Sequence, residues 1–227
     1  MKTNQKGFTL VEIAIVLVII GLLLGGILKG QEMITQAKIK NIISDFSGIS
    51  AAFHGYQDRY RAIPGDDLGA AARWAAAPAA DSGDGNGVVG GTYNNACPTG
   101  TPLESCNWWD HLRRSGFVAG SGVNQPLNAV SGIVGVQSGD GAGGAVLGGI
   151  GGAGGFFGLM MCSANHPDKV AIATDTQMDD GVRTTGSVRG QLQTTNNPTI
   201  VQNALTAPDA NSYVESGTNT YTLCRLL

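Results

Sequence analysis

The chain has 227 residues, a net charge of -3 and a pI near 5.5; 35 residues are glycine and only 14% are charged. The length allows one domain of ordinary size, or a domain with an appendage. Without an excess of basic residues, the overall charge gives no support to nucleic-acid binding. Soluble cytosolic enzymes usually carry about 25% charged residues, so the composition favours a secreted or surface protein.

The amino-terminal region contains a long apolar segment, residues 8–28, in which Glu12 is the only charged side chain. A helix of about 20 residues spans roughly 30 Å, the thickness of the hydrocarbon core of a bilayer. The segment is too long for the apolar core of a typical signal peptide, and no A-x-A-like cleavage site follows it. It therefore predicts a membrane-spanning helix that remains part of the protein.

The flanks of this segment indicate its orientation. The short polar stretch before it carries Lys2 and Lys6, but further lysines follow the segment, so charge alone leaves the orientation open. Such a short stretch is a poor candidate for translocation, and the cysteines farther along favour an oxidising compartment. We expect the amino terminus in the cytoplasm and the carboxy-terminal part outside it.

Glu12 is the most informative residue of the apolar segment. A carboxylate inside a bilayer is costly and normally has a partner, but no residue of the segment carries a positive charge. Cleavage before Phe8 would create an α-amino group that could serve as this partner. In a bundle of staggered helices, Glu12 of one subunit can meet the amino terminus of its neighbour, which neutralises both charges and sets the register. The alternative is a lone protonated glutamate in a signal anchor.

Residues 6–12, KGFTLVE, resemble the processing site of type IV prepilins and of the pseudopilins of type II secretion systems. The resemblance implies cleavage between Gly7 and Phe8 by a prepilin peptidase/methyltransferase, N-methylation of Phe8, and a role for Glu12 in assembly. The apolar segment lacks the proline of many pilins. Its glycines instead suggest a soft point in the helix, because each weakens a helix by roughly 1 kcal/mol relative to alanine; they are Gly21, Gly25 and Gly26.

Two segments farther along resemble a particular group of prepilin-type proteins. The first is YRAIPGD at residues 60–66, followed by DGNG at 84–87 and WDHL at 109–112. The second is MDDGVRTTGSVR at residues 178–189. The resemblance does not cover the glycine-rich region between them, and it does not indicate which filament system the protein serves.

The fold expected from these patterns is α+β. Residues 1–7 form a leader, residues 8–60 a long helix whose first half spans the membrane, and residues 61–227 a small head with an antiparallel sheet and long glycine-rich loops. Apolar residues recur at helical spacing and predict a helix face packed on the sheet: Ile42, Phe46, Ile49 and Phe53. Short helices are predicted at 70–80 and 108–117, and strands at 170–174 and 221–224, the last near the sheet edge.

The four cysteines allow three pairings, and none lies in a C-x-x-C pair that would indicate zinc or thioredoxin-type chemistry. We favour a short local disulfide, Cys97–Cys106, and a second one, Cys162–Cys224, that ties the carboxy terminus to the fold. The alternative is four free buried thiols, which an extracytoplasmic location disfavours.

Residues 82–87, SGDGNG, are the best candidate for a cation site. Asp84, Asn86 and Gly87 match positions three, five and six of a calcium loop, and Asp81 is displaced by one residue from position one. Position twelve lacks a glutamate, so at most a half-loop completed by a distant acid such as Glu104 is expected. The alternative is an ordinary turn of Asp, Asn and Gly residues.

A second acidic cluster, Asp179 and Asp180 with Asp175 nearby, is predicted to form a turn and to cap backbone N–H groups rather than to bind a metal ion.

The sequence motifs give only weak indications of catalysis. Two G-x-G-x-x-G matches lie in a glycine-rich tract where chance matches are expected, and no nucleotide-binding P-loop, nucleophile elbow or H-E-x-x-H motif is present. The dispersed His54, His111 and His166 are predicted to be surface or capping residues. An enzyme is therefore not expected.

Three functions are consistent with these patterns. The first is a pilin, the structural subunit of a type IV pilus or pilus-like filament, and the second is a pseudopilin of a type II secretion system. The third is a signal-anchored periplasmic enzyme or binding protein that never polymerises. The first two predict cleavage after Gly7 and a need for Glu12, whereas the third predicts neither.

The implied partners are other copies of the chain or related pilins, the prepilin peptidase, an inner-membrane assembly platform and, before assembly, membrane lipid. The precursor is expected in the inner membrane, and the mature chain in a periplasmic or cell-surface filament. No cofactor is required by the sequence, although the loop at 82–87 suggests calcium.

Overall fold

The protein is described from a computed structural model that covers residues 9–98, 103–148, 154–200 and 212–227. The described elements follow each other in the order α1 (Leu10–Tyr60), α2 (Ala70–Arg73), α3 (Glu104–Arg114), β1 (Val134–Ser138), β2 (Leu159–Pro167), α4 (Asp168–Met178), β3 (Val188–Leu192) and β4 (Thr220–Leu226). A long apolar helix followed by a four-stranded antiparallel sheet gives the predicted α+β class.

The chain divides into two compact units, Met1–Lys38 and Ile39–Leu227. This division falls within α1, which ends at Tyr60. The burial of the apolar side chains differs between the two parts of α1. Up to Leu28 the large apolar side chains of α1 are exposed, but from Ile39 onward one face of the helix is buried in the core of the second unit.

The sheet of the second unit has the strand order β1-β2-β4-β3, and every neighbouring pair is antiparallel. The predicted strand at 221–224 lies within β4, but its expected position near the sheet edge is wrong, because β4 pairs with β2 on one side and with β3 on the other. The register of β2 and β4 shifts between Ser163 and His166, as expected at a β-bulge.

The predicted helix face packs into the core as expected. Ile42, Phe46 and Phe53 are nearly fully buried, and Ile49 is half-buried against the same cluster. The cluster also includes an apolar patch of α3 with Trp108, Trp109 and Leu112, together with residues of the sheet. The carboxy-terminal part of α1 therefore forms one wall of the core.

The strand predicted at residues 170–174 is wrong, since these residues form the middle of α4. The run VAIAT looks like a short buried strand because of its apolar and β-branched residues. In the helix, however, the buried positions are Val170, Ala171, Thr174 and Asp175, which follow helical and not alternating spacing. Asp168, the first residue of α4, accepts the N–H groups of Ser216 and Gly217 at 2.8 and 2.6 Å, so it ties the start of α4 to the turn just before β4.

Two other helices differ in extent from their predictions. α2 ends at Arg73, well short of residue 80, because Trp74 leaves the helical conformation and packs against Tyr60 with ring centroids 5.7 Å apart. α3 begins at Glu104 and ends at Arg114, so it starts before the predicted residue 108. At the end of α2 a tertiary contact outweighs local propensity.

Both favoured disulfides are present in the structure. Cys97 is bonded to Cys106 across a sequence separation of 9, and Cys162 to Cys224 across a separation of 62. Cys162 and Cys224 are paired residues of β2 and β4 with Cα atoms 4.0 Å apart. Closing the longer loop contributes about 4 kcal/mol to stability in the chain-entropy account of disulfides.

Candidate functional site

The first turn of α1 is closed by a reciprocal pair, Thr9 and Glu12. Glu12 Oε2 accepts hydrogen bonds from the Thr9 N–H at 2.8 Å and from the Thr9 hydroxyl at 2.7 Å. The Glu12 N–H donates in return to Thr9 Oγ1 at 3.3 Å. This is a capping box, in which a threonine and a glutamate three residues later satisfy N–H groups that a helix start leaves unpaired.

The capping box gives Glu12 a local role that the sequence analysis missed, although the T-x-x-E spacing was visible in the sequence. Glu12 therefore has hydrogen-bond partners within its own chain. These partners carry no charge, so the carboxylate keeps its need for a cation when it is surrounded by apolar groups. Gly7 and Phe8, the predicted processing residues, lie outside the described residues.

The apolar surface of α1 is the largest exposed apolar surface in the described part of the chain. The large apolar side chains between Leu10 and Leu28 are 46–87% exposed, and the most apolar stretch of 18 residues in the helix is not buried at all. Among the described residues, α1 is the helix that is long and apolar enough to cross a membrane. A surface of this extent is normally covered by lipid or by other apolar surfaces.

In the second unit, Asp66, Asp84 and Glu104 each offer a carboxylate oxygen within 4.8 Å of the others. Asp84 and the distant acid Glu104 were predicted from the sequence, but Asp66 was not. The carboxylate of Asp81 does not join this group. Asp66 lies in the turn after α1, Asp84 in the following loop and Glu104 at the start of α3, so only the fold brings them together.

Hydrogen bonds to these carboxylates hold the 82–87 loop in place. Asp66 is 5% exposed and accepts the N–H groups of three successive loop residues at 2.5–3.1 Å: Gly85, Asn86 and Gly87. Glu104 accepts the N–H groups of Asp84 at 3.0 Å and of Gly90 at 2.8 Å. Gly85 and Gly87 have φ of 73° and 86°, which glycine adopts without steric cost.

Asn86 stabilises the loop through hydrogen bonds of its own side chain. Its side-chain Nδ2 donates to Asp84 Oδ2 at 2.8 Å, and its side-chain Oδ1 accepts the Val88 N–H at 2.7 Å. The contacts of Asp84 and Asn86 are those of the ordinary Asp/Asn/Gly turn that the sequence analysis named as the alternative. Calcium binding by Asp81, Asp84 and Asn86 stays a prediction.

A calcium titration tests that prediction. If the loop binds calcium, the melting temperature of the chelator-treated full chain should rise on addition of calcium, because a ligand that binds only the folded state stabilises it. Asp84→Ala should abolish the rise, whereas Asp58→Ala, at an exposed residue far along the chain from the loop, should preserve it. An unchanged melting temperature in millimolar calcium would leave the carboxylates with their structural role alone.

The second acidic cluster caps backbone N–H groups, as predicted, while its carboxylates also lie within 4.8 Å of one another: Asp175, Asp179 and Asp180. Asp179 Oδ2 accepts the N–H groups of Ser187 and Val188, the latter at 3.0 Å. Asp180 accepts the Val182 N–H at 2.8 Å and the Thr185 hydroxyl at 2.5 Å. These bonds shape the turn between α4 and β3, which is the structural role predicted for this cluster.

The three histidines lie in different surroundings. The histidines were predicted to be surface or capping residues: His54 is exposed, whereas His111 and His166 are fully buried and His111 caps a backbone N–H group. His111 Nδ1 accepts the Gly65 N–H at 2.9 Å, and its Nε2 lies 2.8 Å from the Asp81 carbonyl oxygen, to which it therefore donates. Burial lowers the pKa of His111, which favours this neutral form.

A buried ionic network lies beside His111. Asp67 Oδ2 accepts hydrogen bonds from the Tyr56 hydroxyl and from Arg73 Nη1, both at 2.6 Å. Asp67 Oδ1 accepts the Gly69 N–H at 2.8 Å. The network joins the end of α1 to the turn before α2 and offers no open nucleophile or base, so its contacts indicate a structural role.

The chain matches a known family model at its amino terminus. Residues 2–28 match the family model described as the prokaryotic N-terminal methylation motif. Neither the curated proteins nor the solved structures gave a match to this chain. The matched residues contain Gly7, Phe8 and Glu12 and most of the exposed apolar surface of α1. This chain carries a prokaryotic N-terminal methylation motif, which supports a type IV pilin-like or pseudopilin precursor.

Proposed function

We propose that the protein is a pilin, the structural subunit of a type IV pilus or pilus-like filament that polymerises through its amino-terminal helix. The observation that carries this proposal is the exposed apolar surface of α1, with Glu12 as its one charged side chain, within a methylation motif. A simple anchor needs the apolar surface but has no need of a carboxylate in it. A bundle of such helices needs both the apolar surface, through which the helices pack, and the carboxylate, which pairs with the α-amino group of a neighbour.

The proposed mechanism begins in the inner membrane. The precursor spans the bilayer with its amino terminus in the cytoplasm, where a prepilin peptidase cuts between Gly7 and Phe8 and methylates Phe8. The mature helices then leave the lipid with the help of an assembly platform and pack against each other. Apolar surface kept from water contributes about 25 cal/mol per Å², so the bundle remains associated after extraction.

Charge pairing sets the register of this bundle. The α-amino group of Phe8 in one subunit lies against the Glu12 carboxylate of its neighbour, so that neither charge remains unpaired in an apolar surrounding. The capping box holds Glu12 close to the start of the helix, near the new amino terminus. The second unit, from Ile39 to Leu227, forms the outer surface of the filament and supplies its contacts with the surroundings.

An amino-terminal and intact-mass analysis tests the processing step. Protein purified from its native host should begin at N-methylated Phe8, and its mass should correspond to residues 8–227 with two disulfides and one methyl group. A chain that still begins at Met1 in a host with an active prepilin peptidase would contradict the proposal and favour the signal-anchored protein.

The location of the mature chain separates the pilin from the second candidate. Pseudopilins share the amino-terminal processing site, so the methylation motif fits both functions. We expect the mature chain in the fraction sheared from the cell surface, as for a surface filament. A mature chain confined to the cell envelope would instead favour a pseudopilin of a type II secretion system.

A further inference from the structure

Asn86 and Gly87 form the only Asn–Gly pair in the sequence, and both residues are exposed at the end of the 82–87 loop. An asparagine followed by glycine can lose its side-chain amide without an enzyme, because glycine has no Cβ to hinder attack by its backbone nitrogen. The fold itself calls for glycine here, since Gly87 has a φ of 86°, a conformation that other residues rarely adopt. The loop therefore contains a chemically vulnerable pair.

Deamidation of this pair would be an intramolecular reaction. The backbone nitrogen of Gly87 attacks Asn86 Cγ, the new N–Cγ bond closes a succinimide ring, and the Cγ–Nδ2 bond breaks. The leaving amide group takes up the proton of the Gly87 N–H and departs as ammonia. Water then opens the ring and leaves aspartate or isoaspartate in place of the asparagine. The reaction therefore requires a Gly87 N–H that is free to lose its proton and an Asn86 side chain that is free to turn toward it.

The Gly87 N–H is held by a carboxylate. It donates to Asp66 Oδ2 at 2.8 Å, and Asp66 is 5% exposed, so water competes little for this bond. Hydrogen bonds to an ionised acceptor are stronger than those between neutral groups. The negative charge of Asp66 also disfavours the loss of a proton from the adjacent N–H, because that loss would create a second negative charge beside it. The first requirement of the reaction is therefore opposed twice.

The Asn86 side chain is held as well. Its Oδ1 accepts the Val88 N–H at 2.7 Å, and its Nδ2 donates to Asp84 Oδ2 at 2.8 Å. A rotation that brings Cγ toward the Gly87 nitrogen would have to break these two bonds. Asp84 is exposed, so its bond adds less than the bond between Gly87 and the buried carboxylate of Asp66.

We propose that Asn86 is a latent deamidation site and that Asp66 keeps it unreactive by holding the Gly87 N–H. Loss of the amide would add a carboxylate to a loop where oxygens of Asp66, Asp84 and Glu104 already lie within 4.8 Å of one another, and like charges repel. Isoaspartate would also route the main chain through the side chain, so the N–H groups of the loop would no longer converge on Asp66. Asp66 therefore preserves both the charge and the shape of the loop.

Long incubation of the full chain in detergent micelles, at neutral pH and with a chelator present, tests this proposal. Mass spectrometry of proteolytic peptides measures the conversion of Asn86 from the mass increase when the amide becomes a carboxyl group. The same chain unfolded in guanidinium chloride gives the unprotected rate and needs no variant. Because the charge-assisted bond of Gly87 must break before the attack, the folded chain should react about tenfold to a hundredfold more slowly than the unfolded chain.

Asp66→Asn is the decisive variant. The one acceptor oxygen of asparagine can still serve the N–H groups of Gly85 and Asn86, which both bind Oδ1 of Asp66, but its amide group then faces the Gly87 N–H and cannot accept from it. The folded variant should convert Asn86 about tenfold faster than the natural chain, or more. Asp66→Ser removes the same bond with a smaller side chain should the asparagine variant fail to fold.

Glu104→Gln is the matched control. Glu104 also holds the loop region, because it accepts the N–H groups of Asp84 and Gly90, but it makes no bond to the Gly87 N–H. If the Gly87 bond is what protects the pair, this variant should deamidate at the rate of the natural chain. Circular dichroism of each variant confirms that it is folded during the incubation.

Three results would overturn the proposal. One is equal conversion of Asn86 in the folded and the unfolded natural chain. Another is a folded Asp66 variant that converts Asn86 no faster than the natural chain does. The third is an equal acceleration by Glu104→Gln, which would make the general order of the loop, and not the bond of Gly87 to Asp66, the protecting feature. None of these measurements depends on filament assembly, so the proposed pilin function stands or fails separately.

Discussion

Glu12→Gln should abolish filaments while leaving the mature chain in the membrane. Glutamine keeps the length and the carbonyl oxygen of glutamate, so it can still accept the Thr9 N–H and complete the capping box. What it loses is the negative charge, and with it the partner proposed for the α-amino group of a neighbouring subunit. An unpaired ammonium among apolar helices strongly disfavours packing, so we expect filament yield to fall about tenfold or more.

The capping box makes two further variants informative. Glu12→Ala removes both the charge and the cap, so it should fail to form filaments as Glu12→Gln does. Thr9→Ala removes the hydroxyl of the cap but keeps the charge. Loss of an N-cap side chain costs about 1 kcal/mol of local helix stability, which membrane insertion tolerates. Thr9→Ala should therefore still assemble, and it is the matched control for the charge.

The measurement compares the sheared surface fraction with the envelope fraction of the native host, in which each variant replaces the natural chain. Immunoblotting gives the filament yield, and intact mass confirms that each variant is processed and methylated at Phe8. Normal filaments from Glu12→Gln together with failure of Glu12→Ala and Thr9→Ala would contradict the charge-pairing mechanism. That pattern would make the capping box, and not the carboxylate charge, the requirement for assembly.

The sequence was sufficient to predict the features that depend on local pattern. The apolar segment follows from its length and composition, and the face containing Ile42, Phe46 and Phe53 follows from helical spacing; the described part of the segment from Leu10 and this face both lie in α1. The strand at 221–224 follows from its composition. β2 and β3 were not predicted: β2 contains Asn165 and His166 among its apolar residues, and β3 is short and carries Arg189 and Gly190.

Contacts between residues far apart in sequence were beyond the reach of local patterns. Asp66 meets Asp84 and Glu104 only because the turn after α1 packs beside the start of α3. The helix α4 was misread as a strand because apolar, β-branched residues suit both structures, and its surroundings decide between them. The capping box of Thr9 and Glu12, by contrast, was available in the sequence.

The largest loss of stability in the head is expected from Asp67→Asn. Asp67 is 3% exposed and accepts hydrogen bonds from three donors: Tyr56, Arg73 and the Gly69 N–H. Asparagine has one acceptor oxygen and adds two donor hydrogens, so at least one donor must face another donor, and Arg73 loses its counter-charge. Breaking a buried ion pair costs about 3–5 kcal/mol, and we expect about 3 because Arg73 retains some contact with water.

Urea unfolding of the full chain in detergent, followed by tryptophan fluorescence, measures this loss at pH 7. All three tryptophans of the chain lie in the head, and Trp74 borders the network with its ring 6.5 Å from that of Tyr56. A loss of about 3 kcal/mol should lower the urea midpoint by about 1 M or more. Asp58→Asn is the matched control, because the Asp58–Arg61 pair is more than 80% exposed on both sides and should leave the midpoint unchanged.

The dependence on pH distinguishes the ion pair from simple packing. Burial alone would raise the pKa of Asp67, but the hydrogen bonds from Arg73, Tyr56 and Gly69 and the charge of Arg73 hold it below its usual value. A carboxyl group with a lowered pKa contributes stability above the pKa of the unfolded state, about 3.9, and this contribution is lost as the pH falls through the pKa of the folded state. The difference between the natural protein and Asp67→Asn should therefore shrink below about pH 4. A difference that stays constant from pH 7 to pH 3, or an equal loss in Asp58→Asn, would mean that the charge of Asp67 does not stabilise the junction between α1 and the head loops.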